Sequence, residues 1–83
     1  MTAPAALQHA PRPVFDPALD PAALRRARRA AGLSLHAVAP RVDRTASVVA
    51  RYERGLVDPP ASVLAALAGL YGVHPGSFFR PAT

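Results

Sequence analysis

Residues 34–55, SLHAVAPRVDRTASVVARYERG, decide the fold, because they carry the start signals of two short helices in close succession. Ser34 and Thr45 each precede a run compatible with a helix, and their hydroxyls can accept hydrogen bonds from the free amides of a first helical turn. The pattern predicts one helix over about residues 35–41 and a second over about residues 45–53. A connection of roughly three residues joins them, as in a tight turn between helices.

Pro40 limits the first of these helices. Proline has no amide hydrogen, and its ring crowds the carbonyl four residues earlier, that of His36. Val38 and Val42 lie four residues apart and place two apolar side chains on one face. We therefore expect a short helix that is strained or ends early, with this face against the core.

The second helix has two unlike faces. Val49 and Tyr52 lie three residues apart and predict a face that packs on the domain. Gly55 follows at the position where helices often end in the left-handed conformation. The other side carries Ala46, Ser47, Ala50, Arg51 and Arg54. That side is available to a partner.

A further helix is predicted on the N-terminal side, within residues 19–32, LDPAALRRARRAAG. Asp20 is suited to be its N-cap, Pro21 occupies the first helical position, and Gly32 lies just past the end. The residues expected to face inward are Leu24, Ala27 and Ala31.

Residues 58–72, DPPASVLAALAGLYG, repeat the same logic on the C-terminal side. Asp58 is the expected N-cap, Pro59 or Pro60 leads the helix, and Gly72 ends it. The apolar stripe consists of Leu64, Leu67, Ala68 and Tyr71.

A last helical turn over residues 74–79, HPGSFF, completes a set of five short helices. No alternating strand pattern is visible, so the predicted fold class is all-α, with one compact domain over residues 20–80. Residues 1–19 are rich in proline and alanine and are predicted to form a flexible N-terminal arm.

The composition argues against an enzyme and against a metal site. The chain of 83 residues has no cysteine, and its three histidines are far apart, so we expect no metal and no cofactor. Paired carboxylates, a nucleophile with a base, and a glycine-rich phosphate loop are also missing from the sequence. No apolar run of about 18 residues and no secretory leader are found, which predicts a cytoplasmic protein without a membrane span.

The charge points to a polyanionic partner. All ten basic residues are arginine, and five acidic residues leave a net charge of +5. Guanidinium groups suit phosphate oxygens and guanine edges, so nucleic acid is the leading partner class. The competing interpretation is a compositional preference for arginine with no partner behind it.

A helix of about two turns, a short connection and a second capped helix form the plan of a helix-turn-helix. Over about residues 24–79 the chain resembles the Cro and phage-repressor type of this fold, the XRE family. The resemblance is carried, without a gap, by RRAAGLS (28–34), VA (38–39), YERG (52–55), Pro59 and VLAALAGLYGV (63–73).

The resemblance implies that the domain binds double-stranded DNA through its second helix in the motif. It implies an internal ion pair between Arg28 and Glu53, for which two solvated charges are the alternative. The implied base-reading residues are Ala46, Ser47, Ala50 and Arg51. The implied phosphate contacts are Arg44, Thr45 and Arg54, with His36 as a donor when protonated. For His36 and Arg51, an exposed side chain without such a role is the alternative.

Four positions depart from the family pattern. Leu35 stands in place of the usual glutamine, and Pro40 lies inside the first helix of the motif. In the turn, Asp43 replaces a glycine and is able to adopt the left-handed conformation. Arg44 replaces an apolar residue and can extend its guanidinium outward to a phosphate. These changes bear on how the motif docks on DNA.

The function expected from these features is a sequence-specific transcriptional regulator, a repressor acting as a homodimer on an inverted repeat. One alternative is a protein-interaction module or antitoxin-like accessory regulator with the same fold, and another is a non-specific nucleoid binder. Leu70, Phe78 and Phe79 are candidate dimer contacts or, alternatively, core residues.

Overall fold

The computed structural model describes residues 17–81, in which four α-helices are combined with two 3₁₀ helices and one small β-sheet. In chain order the elements are β1 (Pro17–Leu19), α1 (Pro21–Ala30), α2 (Leu35–Val38), a first 3₁₀ helix (Ala39–Val42), α3 (Ala46–Glu53), α4 (Ala61–Tyr71), a second 3₁₀ helix (Pro75–Phe78) and β2 (Phe79–Pro81). The predicted helical fold is thus confirmed. The fifth predicted helix, over residues 74–79, is instead a 3₁₀ turn that runs into a strand.

Three of the helix starts follow the side chains predicted to cap them. Asp20, Ser34 and Thr45 each accept a hydrogen bond from a main-chain amide in the first turn of the helix that follows, at 3.1–3.2 Å. These bonds satisfy amides that have no partner inside the helix. Sequence-local hydrogen bonding therefore sets the starts of α1, α2 and α3.

The predicted cap at Asp58 is wrong. Helix α4 begins at Ala61, and no side chain caps it. A capping carboxylate bonds the amide of the second or third helical residue. Pro60 would be the second residue of a helix capped by Asp58 and has no amide hydrogen to donate. The start of α4 therefore moves past both prolines.

Most of the predicted inward positions are buried, and three differ. Ala27 on α1 is only half-buried. Ala31 is exposed because α1 ends at Ala30, and Ala23 is buried on that helix. On α4, Leu64 is only half-buried, whereas the preceding Val63 is buried with an exposure of 4%.

Pro40 divides the predicted helix over residues 35–41 into two pieces. Helix α2 ends at Val38, and the chain tightens into the first 3₁₀ helix, which contains the proline. Val38 and Val42 are both buried, so the apolar face survives this change. Asp43 then adopts the left-handed conformation, with φ 57° and ψ 46°, and turns the chain toward α3.

A short antiparallel sheet joins the two ends of the domain and departs from the all-α prediction. Strands β1 and β2 place Leu19 opposite Phe79. Each strand has only three residues, too few to display an alternating pattern. Residues 17–19, assigned to the arm from the sequence, form β1 and pair with β2, and residues 1–16 lie outside the described part of the chain.

Phe78 is the largest of the fully buried side chains in the core. Its ring meets Tyr71 edge to face, with centroids 6.4 Å apart and an interplanar angle of 83°. Leu24 and Leu67 are each 1% exposed in the same cluster. Phe78 is accordingly a core residue and not a surface contact for a second copy.

Removing the hydroxyl of Tyr71 is expected to stabilise the domain. The Tyr71 Oη is buried without a hydrogen-bond partner among residues 17–81, and an unpaired buried hydroxyl carries a desolvation cost. Tyr71→Phe should therefore raise the free energy of unfolding by roughly 1 kcal/mol in urea titrations near pH 7. Tyr52→Phe is the matched control, and a destabilised Tyr71→Phe variant would contradict the expectation.

The same variant should change the response to alkaline pH. Burial, assisted by the charge of Glu53, raises the pKa of Tyr71 to about 12. The unfolded chain ionises nearer the ordinary value of 10.0, so stability is lost as the pH rises from the lower value through the higher one. Tyr71→Phe should lack this portion of the loss.

Candidate nucleic-acid interface

A buried ion pair fixes α3 against α1. The Arg28 Nε donates to Glu53 Oε2 at 2.7 Å, and Nη2 donates to Glu53 Oε1 at 3.0 Å. The two side chains are 10% and 6% exposed. The hydrogen bonds to Glu53 raise the pKa of Arg28, although burial acts in the opposite direction. The bidentate geometry holds the end of α3 in one orientation.

Arg28 also ties the turn that precedes α2. Its Nη1 donates to the carbonyl of Leu33 at 2.9 Å. One guanidinium therefore connects α1, the residue before the Ser34 cap, and the last turn of α3. The structure brings together Arg28 and Glu53, which are 25 positions apart in the chain.

The base-reading candidates on α3 lie away from Val49 and Tyr52, which are buried. Ala46 is at the edge of this side and also packs against the core. Ser47 and Arg51 are exposed and four residues apart, so they are neighbours on the helix surface. Ala46 and Ala50, also four apart, are half-buried beside them. The four side chains follow the helical spacing and form one continuous surface.

The residues predicted to contact phosphates differ in exposure and in the hydrogen bonds that their side chains already make. Thr45 uses its hydroxyl to accept from the Val48 amide at 3.2 Å. Arg44 is half-buried, and its Nη1 donates to the carbonyl of Asp43 at 2.9 Å. His36 and Arg54 are exposed.

An open depression of about 310 Å³ adjoins the base-reading surface. Its lining consists of Arg25, Arg28, Leu35, Ala50, Glu53 and Arg54. Arg25 was not among the residues singled out from the sequence. It precedes Arg28 by three positions, which places the two on the same side of a helix, and this spacing was the available indication.

Only some of the arginines in residues 17–81 have a carboxylate close enough to balance their charge. Within residues 17–81, carboxylates lie within 4.0 Å of Arg26, Arg28 and Arg80 only. Asp20 accounts for two of these contacts, one to Arg26 at 3.4 Å and one to Arg80 at 3.1 Å. The arginines of this part of the chain without a carboxylate neighbour are Arg25, Arg29, Arg41, Arg44, Arg51 and Arg54.

None of the helices described for residues 17–81 has the length and apolar character needed to cross a membrane. Searches of curated proteins and of solved structures gave no significant match. Residues 22–77 match the family model described as a helix-turn-helix domain. This region contains α1 from its second residue, all of α2 to α4, the ion pair and the exposed surface of α3, and it makes up more than half of the chain. The protein therefore belongs to the helix-turn-helix domain family.

Proposed function

We propose that the protein is a sequence-specific, DNA-binding transcriptional regulator of the XRE type, acting in the cytoplasm on the nucleoid as a repressor. The observation that carries this proposal is the exposed side of α3, the second helix of the motif, where Ser47 and Arg51 project beside uncompensated arginines. In a helix-turn-helix, this helix enters the major groove.

Arg51 is assigned the main role in base recognition. A guanidinium can donate to both O6 and N7 of guanine, which discriminates by about 1–3 kcal/mol. Ser47 is able to bond several bases. Ala46 and Ala50 offer apolar contacts to thymine methyl groups and no hydrogen bonds. Recognition thus depends on few hydrogen-bonding side chains.

Contacts to the phosphates of the DNA backbone are assigned to residues around α3. Thr45 stands at its start, and the exposed Arg54 follows its end. Arg44 retains guanidinium N–H groups beyond the bond from Nη1 to Asp43. His36 is exposed and would contribute when protonated. Such contacts position a protein on DNA without reading sequence.

A homodimer on an inverted repeat follows from the size of the module. One small domain contacts few base pairs, and useful specificity requires a second half-site about one helical turn away. Occupation of such a site would repress transcription by excluding other proteins.

Selection from a random duplex library tests this proposal. The protein should enrich an inverted repeat with half-sites about 10 base pairs apart. On the enriched duplex, Arg51→Ala should lose about 1–3 kcal/mol of discrimination at one position, roughly 5- to 150-fold in relative affinity. Arg29→Ala removes an equal charge outside α3 and should leave the sequence preference unchanged.

The remaining outcomes separate the alternatives. Retention of DNA without an enriched sequence would replace the proposal with non-specific nucleoid binding. Enrichment of a single half-site would remove the homodimer. An unchanged preference in Arg51→Ala would remove the assigned base contact.

A protein-interaction or antitoxin-like role is the second candidate. Leu56 and Val57, which follow Gly55 after the end of α3, are 66% and 44% exposed. Separately, Leu35 is half-buried in the lining of the depression. Contiguous exposed apolar side chains are typical of protein contacts. Binding through them should be insensitive to salt, whereas phosphate-dominated binding weakens steeply as salt rises.

A further inference from the structure

We infer that Arg25, on α1, contacts a backbone phosphate of bound DNA through the depression between α1, α2 and α3. The inference rests on the proposed function and adds a residue outside the motif to the DNA contacts. Its basis is the lining of the depression, its charge, and its continuity with the exposed side of α3.

The depression has an excess of positive charge. Arg25, Arg28 and Arg54 contribute three guanidinium groups, and Glu53 contributes the only carboxylate of the lining. Glu53 is already engaged by Arg28 in two hydrogen bonds. Arg25 and Arg54 are exposed and have no carboxylate within 4.0 Å in residues 17–81. The net charge of the lining is therefore +2, counted as three cations and one anion.

The unused N–H groups of Arg28 are a second indication of an anion. A guanidinium has five N–H groups. Three of those on Arg28 are used, two by Glu53 and one by Leu33. The side chain is only 10% exposed and lines the depression. Two N–H groups of this largely buried cation thus have no acceptor among residues 17–81, and a phosphate oxygen is a suitable acceptor for a guanidinium.

The position of the depression identifies the source of the phosphate. Ala46 and Ala50 are four residues apart on α3, and Arg54 follows at the same spacing just past its end. Ala50 belongs both to the base-reading surface and to the wall of the depression. A duplex lying against that surface places one strand of its backbone over the opening.

The space and the wall chemistry suit this group. A volume of about 310 Å³ corresponds to roughly ten times the volume of one water in the liquid, enough for a phosphate with some of its hydration. Leu35 and Ala50 form apolar parts of the wall and leave the guanidinium groups as its hydrogen-bond donors.

The test is a salt titration of binding to the duplex enriched from the library. In Arg25→Ala, the slope of log affinity against log salt should become shallower by about 0.9, the value for one phosphate contact. Sequence preference should not change. Arg29→Ala is the control, because it removes an exposed arginine one turn away that does not line the depression.

Neutralising single phosphates locates the contact. Duplexes carrying one methylphosphonate at each backbone position in turn should reveal a position where the unmodified protein loses affinity and Arg25→Ala loses none. Arg25→Lys should restore part of the sensitivity at that position. Thermal melts of Arg25→Ala should match those of the unmodified protein, since this side chain is exposed.

Two results would overturn the inference. Equal slopes for Arg25→Ala and Arg29→Ala, with no phosphate position distinguishing them, would show only a general effect of charge. DNA binding would then persist, so the proposed function would stand. Absence of binding by the unmodified protein at low salt would overturn the proposed function together with the inference.

Discussion

Arg28→Ala is expected to lower the free energy of unfolding by about 3–5 kcal/mol, because it leaves a buried carboxylate without its partner. Glu53 is 6% exposed and receives two hydrogen bonds from Arg28. The variant also removes the donor to the Leu33 carbonyl. Urea titrations near pH 7 provide the measurement. For a domain of this size, such a loss is a large share of the total stability.

A double-mutant cycle separates the pair from its surroundings. Glu53→Ala should also be strongly destabilising, and the Arg28→Ala, Glu53→Ala double variant should lose less than the sum of the two. Arg28→Met combined with Glu53→Leu should recover much of the stability, since packed apolar residues can replace a buried pair. Arg29→Ala, at an exposed position, is the control. Additive losses would show that the two residues are not coupled.

Phe78→Ala is expected to cost about 3–5 kcal/mol, the range for truncating a buried aromatic residue. The ring has no exposed surface, and the change also removes the edge-to-face partner of Tyr71. Phe78→Leu should lose less, because it retains part of the packing. Chemical denaturation of the three proteins gives the comparison.

Phe79→Ala, at the next position in the chain, is the matched control for Phe78→Ala. Its side chain is half-buried at the edge of the core, so we expect a smaller loss. A similar loss at both positions would contradict the central place assigned to Phe78. Phe78→Leu should leave any self-association measured by sedimentation unchanged, because this ring is not on the surface.

The helix starts could be predicted from the sequence because capping is local. Asp20, Ser34 and Thr45 bond amides two or three residues away, so their types and spacing suffice. The prediction of Asp58 as a cap fails for an equally local reason. Pro60 lacks the amide hydrogen that such a cap would bond. The break at Pro40 was likewise indicated by local chemistry.

Features that depend on contacts between distant parts of the chain were harder to predict from the sequence. The sheet pairs Leu19 with Phe79, and three-residue strands give no periodic pattern. The depression requires three helices to meet, so Arg25 had no distinction in the sequence beyond its spacing from Arg28. The ion pair was expected only from a family resemblance, since helical periodicity relates neighbours and not residues of separate helices.

The pairing of β1 with β2 brings the first and last described residues of the chain together. Pro17 lies opposite Pro81 in the register, and Asp20 reaches Arg80 at 3.1 Å. Residues 17 and 81 therefore lie side by side at one edge of the domain. Adjacent ends are favourable for circular permutation. A short linker across them, with new ends opened at the exposed turn of Leu56 and Val57, would present the same helices in a different chain order.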